Sequence, residues 1–190
     1  PMNTEKSFAA FAGLACIGQG DLAQMVQVIK PLVDAKDPRT LLVFAYPTGE
    51  QVDLDLRGTL DDVLGFAKSQ SQPVRRTPGR PKLGVVGREV TLLPRHWEWL
   101  NAQPGGASVA LRKLVEQARK GNLGSDRVRR SKEAAFRFMT AIAGNEPGFE
   151  EASRALFAAD RTAFELHTRE WPKDIRDFSH RLADPAFAEK

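Results

Sequence analysis

Cysteine occurs once in the 190 residues, at Cys16, so no disulfide can form within the chain. Its neighbours in "GLACIG" are apolar, and the thiol reads as a small buried hydrophobe rather than a reactive group. Histidine is nearly as scarce. His96, His167 and His180 are the three, and none has a Cys, His or acidic partner at metal-ligand spacing. Gly-x-Ser-x-Gly, a phosphate loop and a dinucleotide fingerprint are all missing. "GQGDLAQ" (Gly18 to Gln24) lacks the third glycine of such a fingerprint and reads as a turn followed by a helix cap. Asp53 and Asp55 share a strand face without a third ligand nearby, so they read as a solvated edge. Glu150 and Glu151 open a helix, where negative charge suits the dipole. These absences argue against an enzyme and against any metal or cofactor. No apolar run approaches the roughly 18–20 residues a membrane span needs. "SFAAFAGLACIG" is too short and too Gly-broken for a secretion signal. The expected location is the cytoplasm, in association with the nucleoid.

What is present is an uneven distribution of charge. Residues 1–72 hold 6 Lys/Arg against 9 Asp/Glu, a balance of −3. Residues 73–132 hold 14 against 4, a balance of +10. Residues 133–190 hold 8 against 11, again −3. A basic block between two acidic flanks is the electrostatic footprint expected of a polyanion-binding segment.

Hydrophobic periodicity and turn residues divide the chain further. "SFAAFAGLACIG" reads as short strands around Gly13, and Asp21 caps a helix to about Ala35 with Leu22, Val26, Ile29 and Val33 at helical spacing. "TLLVFAYPTGEQVDLDLRG" reads as a hairpin: Leu41 to Ala45, a Pro47-Thr48-Gly49 turn, then Val52, Leu54 and Leu56 alternating with acids. Thr59 caps a helix to about Ser69. "SQSQPVRRTPGRPK" can continue neither helix nor central strand and reads as an exposed boundary. Beyond it, Leu83–Val86 and Glu89–Leu93 read as strands turning at Gly87-Arg88. Pro94 opens a short helix carrying Trp97 and Leu100. A second helix from Ala107 or Ser108 sets Leu111, Leu114, Val115 and Ala118 on one face and closes at Gly121. Ser131 to Ala143 is a further helix with Ala134, Ala135, Phe138 and Ile142 inward. Three short helices follow, punctuated by Pro147-Gly148, Asp160 and Pro172. Their expected core is Phe149, Leu156, Phe157, Phe164, Leu166, Trp171, Ile175, Phe178 and Leu182. The fold class is therefore α+β: a small N-terminal α/β unit (4–70), a basic Pro/Gly-rich arm (71–82), a central two-helix unit (83–121) and a C-terminal helical bundle (122–190).

The order strand, Pro, short helix, Gly turn, second helix resembles the ribbon-helix-helix DNA-binding fold. "VTLLP" (Val90 to Pro94) matches its strand ending in Leu-Pro, and "SVALR" (Ser108 to Arg112) its turn-to-helix signature. Over a longer span the chain resembles a bacterial family called domain of unknown function 2239, through "TGEQVDLDLRGT", "REVTLLPRHWEWL", "GGASVALRKLVEQAR" and "GFEEASRALFAAD". The second resemblance brings no assigned activity. The first implies a homodimer, since the ribbon pairs with the same strand of a second copy. It also implies ribbon side chains in the major groove of double-stranded DNA and a phosphate at the second helix's N-terminus, here Ala107 and Ser108.

Carrying the fold's register back from Pro94 places Arg88, Val90 and Leu92 toward the groove and Glu89, Thr91 and Leu93 toward the core. Val90 and Leu92 have no hydrogen bonds to offer and touch at most thymine methyls. Either the register slips by one, or Leu83–Val86 covers this surface, or the unit dimerises without reading bases. The arm offers another route. "TPGRPK" resembles the AT-hook core, with Gly79, Arg80, Pro81 and Lys82 matching and Pro78 standing where the hook has its first Arg. Together these readings imply a homodimeric DNA-binding regulator. Arg75, Arg76, Gly79, Arg80 and Lys82 hold the minor groove or phosphates, Arg88 and Arg95 flank the ribbon, and Arg127, Arg129, Arg130 and Lys132 extend the basic track. The alternative is a dimeric protein-interaction module that does not bind DNA.

Overall fold

A computed structural model describes residues 7–71 and 86–188, with only the backbone described at 66–71. The architecture is α+β. Two units emerge: one joins residues 1–72 to 125–190, the other covers 73–124.

In the first unit, β1 (Ser7–Ala12) and β2 (Ala15–Gly20) form an antiparallel hairpin, with Gly13 at φ +59 in its tight turn. β3 (Leu41–Tyr46) pairs antiparallel with the other edge of β1, giving the order β2-β1-β3. β1 is apolar at nearly every position because both its faces are covered. Ala10 faces α1 (Leu22–Asp34) and its Met25 and Ile29, while Ala9 and Phe11 face the C-terminal helices. Asp21 caps α1 in a reciprocal box: its carboxylate accepts from Gln24 N–H at 2.8 Å, and the Gln24 side chain accepts from Asp21 N–H at 2.8 Å. α2 (Leu60–Ser71) begins at a similar box between Thr59 and Asp62.

The expected hairpin partner of β3 is reduced to one bridge, Phe44 to Gln51, and residues 52–57 form no strand. The alternation survives for another reason. Val52, Leu54 and Leu56 pack against α1 residues rather than extending the sheet, and Leu54 and Leu56 also meet Val63 of α2.

The C-terminal residues of this unit are helical: the end of α4 (Gly106–Ile142), then α5 (Phe149–Ala158), α6 (Arg161–Thr168) and α7 (Lys173–Ala183). The breaks fall at Pro147-Gly148, Asp160 and Pro172, as expected, and Asp160 accepts from Ala163 N–H at 2.9 Å. Phe11, Phe44, Phe138 and Phe178 meet in one ring cluster, with centroids 4.6–5.9 Å apart. Each buried ring contributes about 2–3 kcal/mol, with roughly 1 kcal/mol more per well-angled pair. Ser131 Oγ donates to Leu182 O at 2.6 Å and Trp171 Nε1 donates to Pro147 O at 2.8 Å. Arg181 lies over the rings of Tyr46 and Phe178 and donates to Gln19 Oε1 at 2.8 Å, tying α7 to the sheet. The sheet and the C-terminal helices thus bury one shared core, which the boundaries 4–70 and 122–190 cut through. Phe157 and Leu166, expected inside, are 50% and 53% exposed. On α5 the inward face is Ala152, Ala155 and Leu156, with Phe157 a further 100° around. On α6 it is Phe164 and Thr168, which leaves Leu166 on the opposite side.

In the second unit, residues 86–93 belong to no strand. The expected strand Glu89–Leu93 finds no neighbouring strand among the described residues. Without a ladder partner its backbone stays irregular. Of the other expected strand, Leu83 to Val85 lie outside the described residues. α3 (Pro94–Asn101) starts with Pro at its first position, and α4 follows a turn in which Gly105 has φ +87 and Gly106 +73. The helices expected to separate at Gly121 are instead continuous. α4 runs through Gly121 and Gly124, because an interior glycine costs only about 1 kcal/mol against an unbroken hydrogen-bond ladder.

Candidate nucleic-acid interface

Among residues 86–124, Leu100 and Ala110 are the buried hydrophobic side chains. Val86, Val90, Leu93, Trp97, Trp99, Leu114, Val115 and Leu123 are all exposed, Val90 at 54% and Trp99 at 53%. On the apolar face read across Leu111, Leu114, Val115 and Ala118, Leu111 is half-buried and the other three are exposed. Leu92 is half-buried, and Arg88 and Arg95 are exposed. Ala107 and Ser108 do occupy the first turn of α4, which carries no acidic residue. The Ser108 carbonyl accepts from Arg112 Nε at 3.0 Å.

The remaining basic candidates divide. Arg75, Arg76, Gly79, Arg80 and Lys82 lie outside the described residues. Arg127, Arg129 and Arg130 are on the part of α4 that belongs to the first unit, so they are not grouped with Arg88, Arg95, Ala107 and Ser108. Arg129 is held between Asp126 at 3.1 Å and Glu133 at 3.2 Å, and its hydrogen bonds to these carboxylates raise its pKa. Lys132 donates to Phe157 O at 2.6 Å. Four cations missed by the sequence reading sit on α4 in the second unit: Arg112, Lys113, Arg119 and Lys120. Their signal is visible in "LRKLVEQARKG", where two Arg-Lys steps stand seven residues apart.

Other polar groups are spoken for locally. Asp55 forms an ion pair with Arg57 at 2.6 Å, and this hydrogen bond lowers its pKa to about 2. His180 Nε2 lies 2.7 Å from the buried Thr168 hydroxyl, and burial pushes its pKa down. Cys16 is half-buried, and its N–H donates to Asp174 Oδ2 at 2.8 Å. Among the described residues, no cluster of three His, Cys, Asp or Glu could hold a metal ion, and no helix is long and apolar enough to cross a membrane.

One family model matches residues 7–183, which is nearly all of the chain and includes both units. The chain belongs to the DUF2239 family. That family is described as an uncharacterized protein conserved in bacteria. Comparison of this DUF2239 chain with curated proteins and with solved structures returned no match. The ribbon-helix-helix resemblance therefore rests on the sequence of residues 89–120 alone.

Proposed function

We propose that this DUF2239 protein is a DNA-binding homodimer acting in transcriptional regulation. The observation that carries this reading is the balance of +10 over residues 73–132, set between two flanks of −3. Its support lies in the middle of that block, where the described residues 86–124 leave eight large apolar side chains exposed and bury Leu100 and Ala110. So small a unit does not stabilise itself without a partner surface. A second copy covers the apolar side, and the cations stay free for phosphates. Arg75, Arg76, Arg80 and Lys82 then grip the minor groove or backbone, and Arg88 and Arg95 lie beside the duplex.

Anisotropy titration of a labelled duplex tests this. Neutralising about six to eight phosphates makes affinity fall roughly a thousandfold or more between 50 and 200 mM salt. A flat response removes the reading. The exposed, hydrogen-bond-free Val90 favours a second reading, a dimeric protein-interaction module. Light scattering separates the two: a dimer without duplex affinity supports the module, and a dimer with steeply salt-dependent affinity supports the regulator.

A further inference from the structure

We propose that Arg112, Lys113, Arg119 and Lys120 on α4 form a phosphate-contacting surface for duplex DNA, in addition to the residues of the basic arm. This rests on the DNA-binding reading and adds a surface to it. Seven residues advance a helix by nearly two whole turns, so Arg119 and Lys120 stand over Arg112 and Lys113 at about 10.5 Å. Lys113, Arg119 and Lys120 are exposed, and Arg112 stands beside them with its head group on the surface. Lys113 and Lys120 form no ion pair among the described residues. Glu116 is the acid between the two steps, and it pairs with Arg119 at 3.0 Å, so among the described residues neither lysine nor Arg112 has an ion-pair partner.

Val109, Arg112, Lys113, Glu116, Gln117 and Lys120 share one open face of α4. Its side chains are mostly aliphatic stems with charged tips, which suit a sugar–phosphate strand. Among the described residues of this face there is no aromatic ring to stack on a base. Contacts of this kind position the duplex and carry no sequence information. The surface therefore strengthens binding equally on any duplex. Leu111, Leu114 and Ala118 lie on another side of α4, so a second copy covering them leaves the four cations accessible.

The test is anisotropy on the full chain with A·T-rich and G·C-rich duplexes from 50 to 200 mM salt. Wild type is compared with Arg112→Gln/Lys113→Gln/Arg119→Gln/Lys120→Gln and with Arg112→Lys/Arg119→Lys. The glutamine variant is expected to lose affinity equally on both duplexes, with a log–log salt slope shallower by about three to four. The lysine variant is expected to keep the wild-type slope. An unchanged slope in the glutamine variant overturns the proposal and leaves the DNA-binding reading standing. Equal loss in the lysine variant also overturns it, since charge would then not be the cause. Failure of wild type to bind either duplex removes both. A fourth arm uses vesicles containing phosphatidylserine. Vesicle binding lost in the glutamine variant, with duplex binding intact, overturns the proposal in favour of a membrane surface.

Discussion

Gly49 sits in the turn after β3, with φ +64, and its N–H donates to Ala45 O at 2.8 Å. A Cβ there would lie 2.2 Å from the Ala134 carbonyl oxygen and 2.9 Å from its carbon. Neither is the tip of a flexible side chain. Both belong to the backbone of α4. Gly13 offers the natural control, since its φ is +59 but a methyl at that position would meet nothing within 4 Å. Gly13→Ala is thus expected to cost about 1 kcal/mol, the left-handed penalty by itself. Gly49→Ala is expected to cost about 2 kcal/mol or more, because the turn must also withdraw from α4. Urea denaturation of the two variants reads the difference. Equal midpoints would mean that the β3 turn does not bear on α4. Arg137 supports the same junction, its Nη1 donating to Thr48 O at 2.7 Å.

Elements were legible wherever their signal is local. Asp21, Thr59, Pro94, Asp160 and Pro172 mark starts through chemistry confined to one turn, and each stands where the structure begins a helix. Elements that depend on something distant were not legible. Residues 89–93 alternate like a strand, but a strand needs a neighbour to accept its hydrogen bonds. Gly121 looks like a stop, but a glycine stops a helix only when the following residues have better partners elsewhere. In α4 the next residues stay helical to Ile142. A Cβ at Gly121 or Gly124 would meet nothing within 4 Å. Gly121→Ala and Gly124→Ala are therefore expected to stabilise this stretch by about 0.5–1 kcal/mol each. Amide hydrogen exchange over residues 118–128 should slow accordingly. If protection stays at the wild-type level, the helix is not continuous through these glycines in solution.

For the molecule as a whole, the balance of charge was readable from composition, but the pairing of the two chain ends was not. "SFAAFA" announces a strand apolar on both faces without saying what covers each face. The cover for Phe11 proves to be Phe138 and Phe178, more than a hundred residues away. The candidate site was half legible for a similar reason. Net charge marks the basic block, while the face on which each cation stands depends on the helix running through it. The shared core has a direct consequence for fragments. Phe11 and Phe44 contribute about 2–3 kcal/mol apiece by burial, and the facing rings of Phe138 and Phe178 become wet without them. A fragment holding residues 125–190 loses more than that sum, against a total stability of roughly 5–15 kcal/mol for an ordinary domain. It is expected to keep helical circular dichroism but to melt without a cooperative transition. Adding residues 1–72 as a separate chain should restore the transition, because the missing contacts are non-covalent and need no chain connection. A sharp, concentration-independent melt of the helical fragment alone would show that α5 to α7 close their own core, and that the sheet is an addition to it rather than half of it.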